Sequence, residues 1–114
     1  MKDIKNSIIG LKVHVIVDRP LGSVHPTHKD LVYPINYGYI SAIIAGDGEC
    51  QDCYILGENG PIKAFDGVVI AIIHRKNDVE DKWIVVKDGI NVSDEEILRQ
   101  TAFQEQYFDI EIIR

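Results

Sequence analysis

The chain has 114 residues, 46% hydrophobic and 26% charged, which suits one compact unit and is too little for two ordinary domains. At this length roughly 65% of the unfolded surface is buried on folding, so a core can close without disulfide or metal staples. Twelve Lys and Arg stand against eighteen Asp and Glu, a formal net charge of −6; the mean field repels nucleic acid and anionic lipid, and an anionic ligand must be reached through local cations or bound metal.

Apolar runs are short, Val68-Val69-Ile70-Ala71-Ile72-Ile73 being typical, far below the ~20 residues that span a bilayer. Met1 to Asn6 leads into no apolar stretch with a small-residue cleavage site, so a cytoplasmic protein with no membrane and no nucleic-acid partner is expected.

In chain order, Leu11-Lys12-Val13-His14-Val15-Ile16-Val17 carries β-branched residues at alternate positions and reads as a strand closed by the turn Asp18-Arg19-Pro20-Leu21-Gly22-Ser23. Further apolar runs, Tyr33 to Ile44, Asp52 to Leu56, Gly67 to His74 and Asp81 to Lys87, are separated by turns bearing Gly, Pro and Asn. Many short strands imply a small barrel or sandwich. Val68 to Ile73 is apolar at every position, so both strand faces must be covered. Ser93-Asp94-Glu95-Glu96 is a capping box, predicting a helix from Asp94 in which the Ser hydroxyl meets the Glu96 N–H and the Glu96 carboxylate returns the contact. Ile97, Leu98, Thr101, Ala102 and Phe108 form the predicted apolar stripe, with Arg99, Gln100, Gln104 and Gln106 opposite. Asp109 to Arg114 returns to strand-like alternation. The expected fold is mainly β with one or two helices, as a small closed barrel.

Cys50 and Cys53 have C-x-x-C spacing, and His25 and His28 supply an H-x-x-H. Together they match a Cys2His2 zinc set; reduced structural thiols are the favoured reading. The sharpest chemical feature is Gly46-Asp47-Gly48-Glu49-Cys50-Gln51-Asp52, three carboxylates on a glycine-bearing turn entering a strand. Turned inward, such an oxygen-only set suits a hard cation such as magnesium; turned outward, it is an acidic surface loop. A second acidic cluster, Asn77-Asp78-Val79-Glu80-Asp81-Lys82, lies between two predicted strands.

Tyr33-Pro34-x-Asn36-Tyr37-Gly38-Tyr39-Ile40, followed by Asp47-Gly48-Glu49-x-x-Asp52 and later by Glu80-Asp81-Lys82 before a strand, resembles the soluble family I inorganic pyrophosphatases over most of the chain. The resemblance implies that residues 1–114 form a single inorganic-pyrophosphatase-like domain with an OB-like closed β-barrel and external helices. It implies Mg2+-dependent hydrolysis of pyrophosphate to two phosphates by a metal-activated water, in a homo-oligomer. Carried over by position, Asp47, Asp52, Asp81, Asp78, Asp18 and Glu49 are metal ligands or their acidic partners. Glu49, where the family has aspartate, also activates the water; Lys82, Tyr37 and Tyr107 contact phosphate.

The chain departs from the family at three cations. Gly22 to His28 holds histidines and no lysine, Lys29-Asp30-Leu31-Val32 holds no arginine, and Phe108 follows Tyr107 where a lysine is usual. Asp81 and Lys82 also adjoin where the family spaces them by one residue, so their side chains should diverge on a strand, leaving Glu80 as the alternative ligand. The alternative function is therefore a catalytically weak or inactive relative that binds a phosphorylated ligand through metal.

Overall fold

The computed structural model describes residues 8–46, 48–76 and 80–114. Its strands are β1 (Lys12–Arg19), β2 (Asn36–Ile44), β3 (Cys50–Ile55), β4 (Ala64–Arg75), β5 (Asp81–Val86) and β6 (Ile110–Ile113), with helix α1 (Asp94–Glu105) between the last two. The order β1-β2-β3-β5-β4 closes through a β1–β4 pairing, and β6 adds to β4. All neighbours are antiparallel except β3 and β5. The expected small closed barrel is thus present, each of its strands falling within or overlapping one apolar run of the sequence; Tyr33 to Ile35 lie ahead of β2, and β1 continues through Asp18 and Arg19, where a turn was expected.

Closure brings two strand pairs into tight contact, and glycine stands at both. A Cβ on Gly38 would lie 2.1 Å from the Ile16 carbonyl oxygen, and one on Gly67 would lie 2.6 Å from that of Val86; no side chain fits there.

Strand alternation separates two cores. Val15, Cys53, Ile55, Val69, Trp83 and Val85 fill the barrel interior. On the outer wall, Tyr33, Tyr37, Tyr54, Ile73, Ile84 and Val86 pack with Ile97 of α1. Every residue of β5 after Asp81 is consequently buried, as expected for a strand covered on both faces.

Helix α1 begins where the sequence predicts. Ser93 is its N-cap, accepting a hydrogen bond from the Glu96 N–H at 3.2 Å. The return contact differs from expectation: the Glu96 carboxylate is held by Arg99, whose Nε donates at 3.0 Å, and by Gln100. The buried stripe also differs, since it runs through Ile97, Thr101 and Glu105, while Leu98 and Ala102 are exposed. Gln104, expected on the outer side, faces the barrel wall. The physical reason is that the wall under the last turn of α1 offers Arg75 and Tyr54, which a carboxylate and an amide satisfy and a leucine does not.

Candidate functional site

On β5, alternation sends Trp83 and Val85 into the barrel and Lys82, Ile84 and Val86 to the outer wall. There the Lys82 ammonium, its side chain 4% exposed, donates to the Tyr37 hydroxyl at 2.7 Å, to Asp52 Oδ2 at 2.9 Å and to Glu80 Oε1 at 2.6 Å. Three strands and the approach to β5 therefore converge on one buried charge. Burial, aided by the nearby Asp52 carboxylate, pushes the Tyr37 phenol far above its ordinary range, so it stays protonated and able to donate. At the end of β1, partial burial raises the Asp18 carboxyl above its ordinary range against the pull of Arg19, and the Asp52 charge adds to the rise.

A second cluster adjoins the first. Arg75 on β4 grips the buried Glu105 of α1 through two donors, Nε at 2.9 Å and Nη2 at 2.6 Å, and reaches Glu80 at 3.2 Å. Its guanidinium lies 3.7 Å from the Phe108 ring centre. Tyr54 donates to Glu105 at 2.6 Å and accepts from Gln104 at 2.7 Å. Tyr33 in turn donates to Gln104 at 3.2 Å and accepts from Arg19 at 2.8 Å. A continuous polar chain thus runs from Arg19 through Tyr33, Gln104, Tyr54, Glu105, Arg75, Glu80 and Lys82 to Asp52. Such fully paired networks fix the side chains they contain.

Above this chain opens a recess of about 940 Å³, with Arg19, Tyr37, Arg75 and Lys82 among its lining residues. It lies on the outer wall, between α1 and the segment joining β1 to β2.

No protein-family model and no curated protein matches the chain. Solved structures do. An inorganic pyrophosphatase from Ehrlichia chaffeensis is 18% identical, with 90% of this chain and 85% of that one superposed at a TM-score of 0.67. One from Coxiella burnetii is 17% identical over 92% and 84%, at 0.65. A third, from Neisseria gonorrhoeae, is 19% identical over 86% and 74%, at 0.62. The fold is that of the inorganic pyrophosphatases.

On this pyrophosphatase fold, the structure brings Tyr37, Asp52 and Lys82 into direct contact. Glu80 joins them, and Asp81 does not: it faces away from Lys82 and holds His74, Oδ1 to Nδ1 at 2.7 Å. Adjacent residues on a strand diverge, as the sequence implied. Glu49 is exposed on the turn before β3, and Tyr107 stands 72% exposed at the recess mouth. Asp47 and Asp78 lie outside the described residues.

The Cys2His2 set does not assemble. Cys53 is buried inside the barrel, the Cys50 thiol is near the Ser41 carbonyl, and His25 and His28 line the outer recess.

Among the described residues, no three His, Cys, Asp or Glu side chains gather around one point. The donor chemistry nevertheless fits a hard divalent cation. Asp52 and Glu80 supply oxygen only, both held on the Lys82 ammonium, and oxygen donors of this kind suit a hard cation better than a soft one.

Sequence reasoning missed Glu105, Gln104 and Tyr54. The available signal was spacing: Glu105 lies four and eight residues beyond Thr101 and Ile97, on the face those residues bury, and a buried acid requires a buried base.

Proposed function

We propose that this chain hydrolyses inorganic pyrophosphate to two phosphates in a Mg2+-dependent reaction, acting as a cytoplasmic homo-oligomer. The observation that carries the reading is the Tyr37–Lys82–Asp52–Glu80 cluster beneath an open recess on a pyrophosphatase fold.

Of the cations lining the recess, Lys82 is already paired with Asp52 and Glu80, and Arg75 with Glu105 and Glu80, so little free positive charge meets a diphosphate and divalent cations must accompany it. Asp52 and Glu80 would hold such an ion, with Asp47, Asp18, Asp78 and Glu49 as further acidic ligands or partners. When bound, such a metal would neutralise phosphate oxygens and lower the pKa of a coordinated water toward neutrality.

The rest falls to the chain. Lys82, released from Asp52, donates to a phosphate oxygen, and Tyr37 and Tyr107 donate to others. Protonated Tyr37 gives a neutral hydrogen bond to developing charge. Glu49 takes a proton from the water as its oxygen joins one phosphorus. The bridging P–O bond breaks, and its electron pair leaves with the second phosphate. The extra methylene of Glu49 relative to aspartate shifts this base by about 1 Å, a displacement worth on the order of a hundredfold in rate.

Phosphate release from magnesium pyrophosphate, compared among the wild-type chain, Asp52→Asn and Glu49→Ala, tests the reading. Release by the wild type that falls at least ~10-fold in both variants supports it. Equal release by all three contradicts it, and saturable binding without release establishes the inactive relative instead.

A further inference from the structure

The recess is larger than a bare diphosphate requires. At about 940 Å³ it is in the range of pockets that enclose drug-sized ligands, while pyrophosphate is only a pair of phosphate groups.

Its chemistry also changes from floor to rim. The floor carries Arg19, Arg75 and Lys82. The rim carries Leu31, the half-exposed Val32, the Phe108 ring and a pair of imidazoles. His25 lies nearly parallel to Tyr33, the rings 6.1 Å apart at 6°, and His28 tilts against His25 at 4.8 Å. The rim further includes the exposed carboxylate of Asp30.

Apart from the imidazoles, whose N–H groups also suit a phosphate oxygen, these rim groups do not favour a second phosphate. Leu31 and Val32 offer an anion nothing, and Asp30 repels it. The rings and the aliphatic pair suit a planar apolar face attached to the anhydride, and Asp30 suits a hydrogen-bond donor on it. A heterocycle stacks on the exposed His28 imidazole and covers Val32, and Asp30 accepts from a sugar hydroxyl or an exocyclic amine.

We infer that the recess takes a nucleoside diphosphate, its anhydride on the floor and its base against the rim. This rests on the hydrolase reading and names the substrate class of the same site. Water adds to the terminal phosphorus, and the bond from that phosphorus to the bridging oxygen breaks. The electron pair leaves on the nucleoside monophosphate, and the water proton passes to solvent. The products are one phosphate and one nucleoside monophosphate.

The test measures kcat/KM of the full chain for magnesium ADP and for magnesium pyrophosphate, with AMP identified by chromatography, in the wild type, His28→Ala and Val32→Asp. The inference expects ADP to be cleaved to AMP, and each variant to lower the ADP value relative to the pyrophosphate value by about 5- to 150-fold, the usual effect of losing one base-stacking contact. Cleavage of pyrophosphate without cleavage of ADP, or an ADP-to-pyrophosphate ratio unmoved by either variant, overturns the inference and leaves the pyrophosphatase reading standing. No cleavage of either substrate overturns both.

Discussion

Replacing Glu105 by leucine removes the carboxylate on which the network of the outer wall turns. Its side chain is 1% exposed and that of Arg75 is 5% exposed. Glu105→Leu therefore strands a guanidinium whose remaining carboxylate is Glu80 at 3.2 Å, and it leaves the Tyr54 hydroxyl without its acceptor. Breaking a buried pair by deleting one partner costs about 3–5 kcal/mol, and the orphaned hydroxyl adds about 1 kcal/mol. For a chain of this length the total stability is about 6–17 kcal/mol, so the variant loses a large share of it, or more than ~10 °C in Tm. Arg75→Met strands Glu105 at similar cost. The double variant Arg75→Met/Glu105→Leu strands neither charge and is expected to lose less than either single variant, because paired charges replaced by apolar groups of similar size are often neutral. Urea unfolding followed by the fluorescence of Trp83, the chain's one tryptophan and 5% exposed, measures all three. A loss below about 1 kcal/mol for Glu105→Leu, or a double-variant loss equal to the sum of the singles, would refute this reasoning.

Gly38→Ala places a methyl group 2.1 Å from the Ile16 carbonyl oxygen; a loss of at least ~1–3 kcal/mol is expected from the forced shift, read from the same urea transition. Burial pushes the Cys53 thiol well above its ordinary range, so it stays protonated and unreactive at about pH 8, where alkylation of the native chain should label Cys50 first, and mass mapping of the labelled peptide checks this. Because its folded pKa lies above the unfolded value, Cys53 contributes no loss of stability until pH rises past the ordinary thiol range; above it the unfolded state is favoured, and unfolding in alkali should be easier for the wild type than for Cys53→Ala relative to their neutral-pH difference. Ser93→Ala removes the N-cap acceptor and should cost about 1 kcal/mol in thermal unfolding.

β1 was legible because its β-branched residues recur with period two, and the double-sided burial of β4 and β5 shows in apolar runs without polar interruption, Val68 to Ile73 and Trp83 to Val86. The helix start was legible because Ser93 and the acids after it satisfy exposed N–H groups whatever the tertiary surroundings. Its inward face was not. Periodicity placed Leu98 and Ala102 inside, but Glu105 and Gln104 took the wall, since Arg75 and Tyr54 set the chemistry of that wall and both lie far away in sequence. The same distinction holds at the site. Asp52, Lys82 and Tyr37 stood out through the spacing of their motifs, and the divergence of Asp81 from Lys82 followed from strand geometry alone. The role of Glu80 as the joint between the Lys82 and Arg75 clusters needed the tertiary fold, because it depends on where three strands and a helix meet.

The central claim is that a recess whose Arg75 and Lys82 are already paired with carboxylates accepts a diphosphate because divalent cations come with it. Calorimetric titration of pyrophosphate into the full chain, once with magnesium and once with a chelator, tests this most directly. The account predicts saturable binding with magnesium and none with the chelator; equal binding under both conditions, or binding under neither, would contradict it.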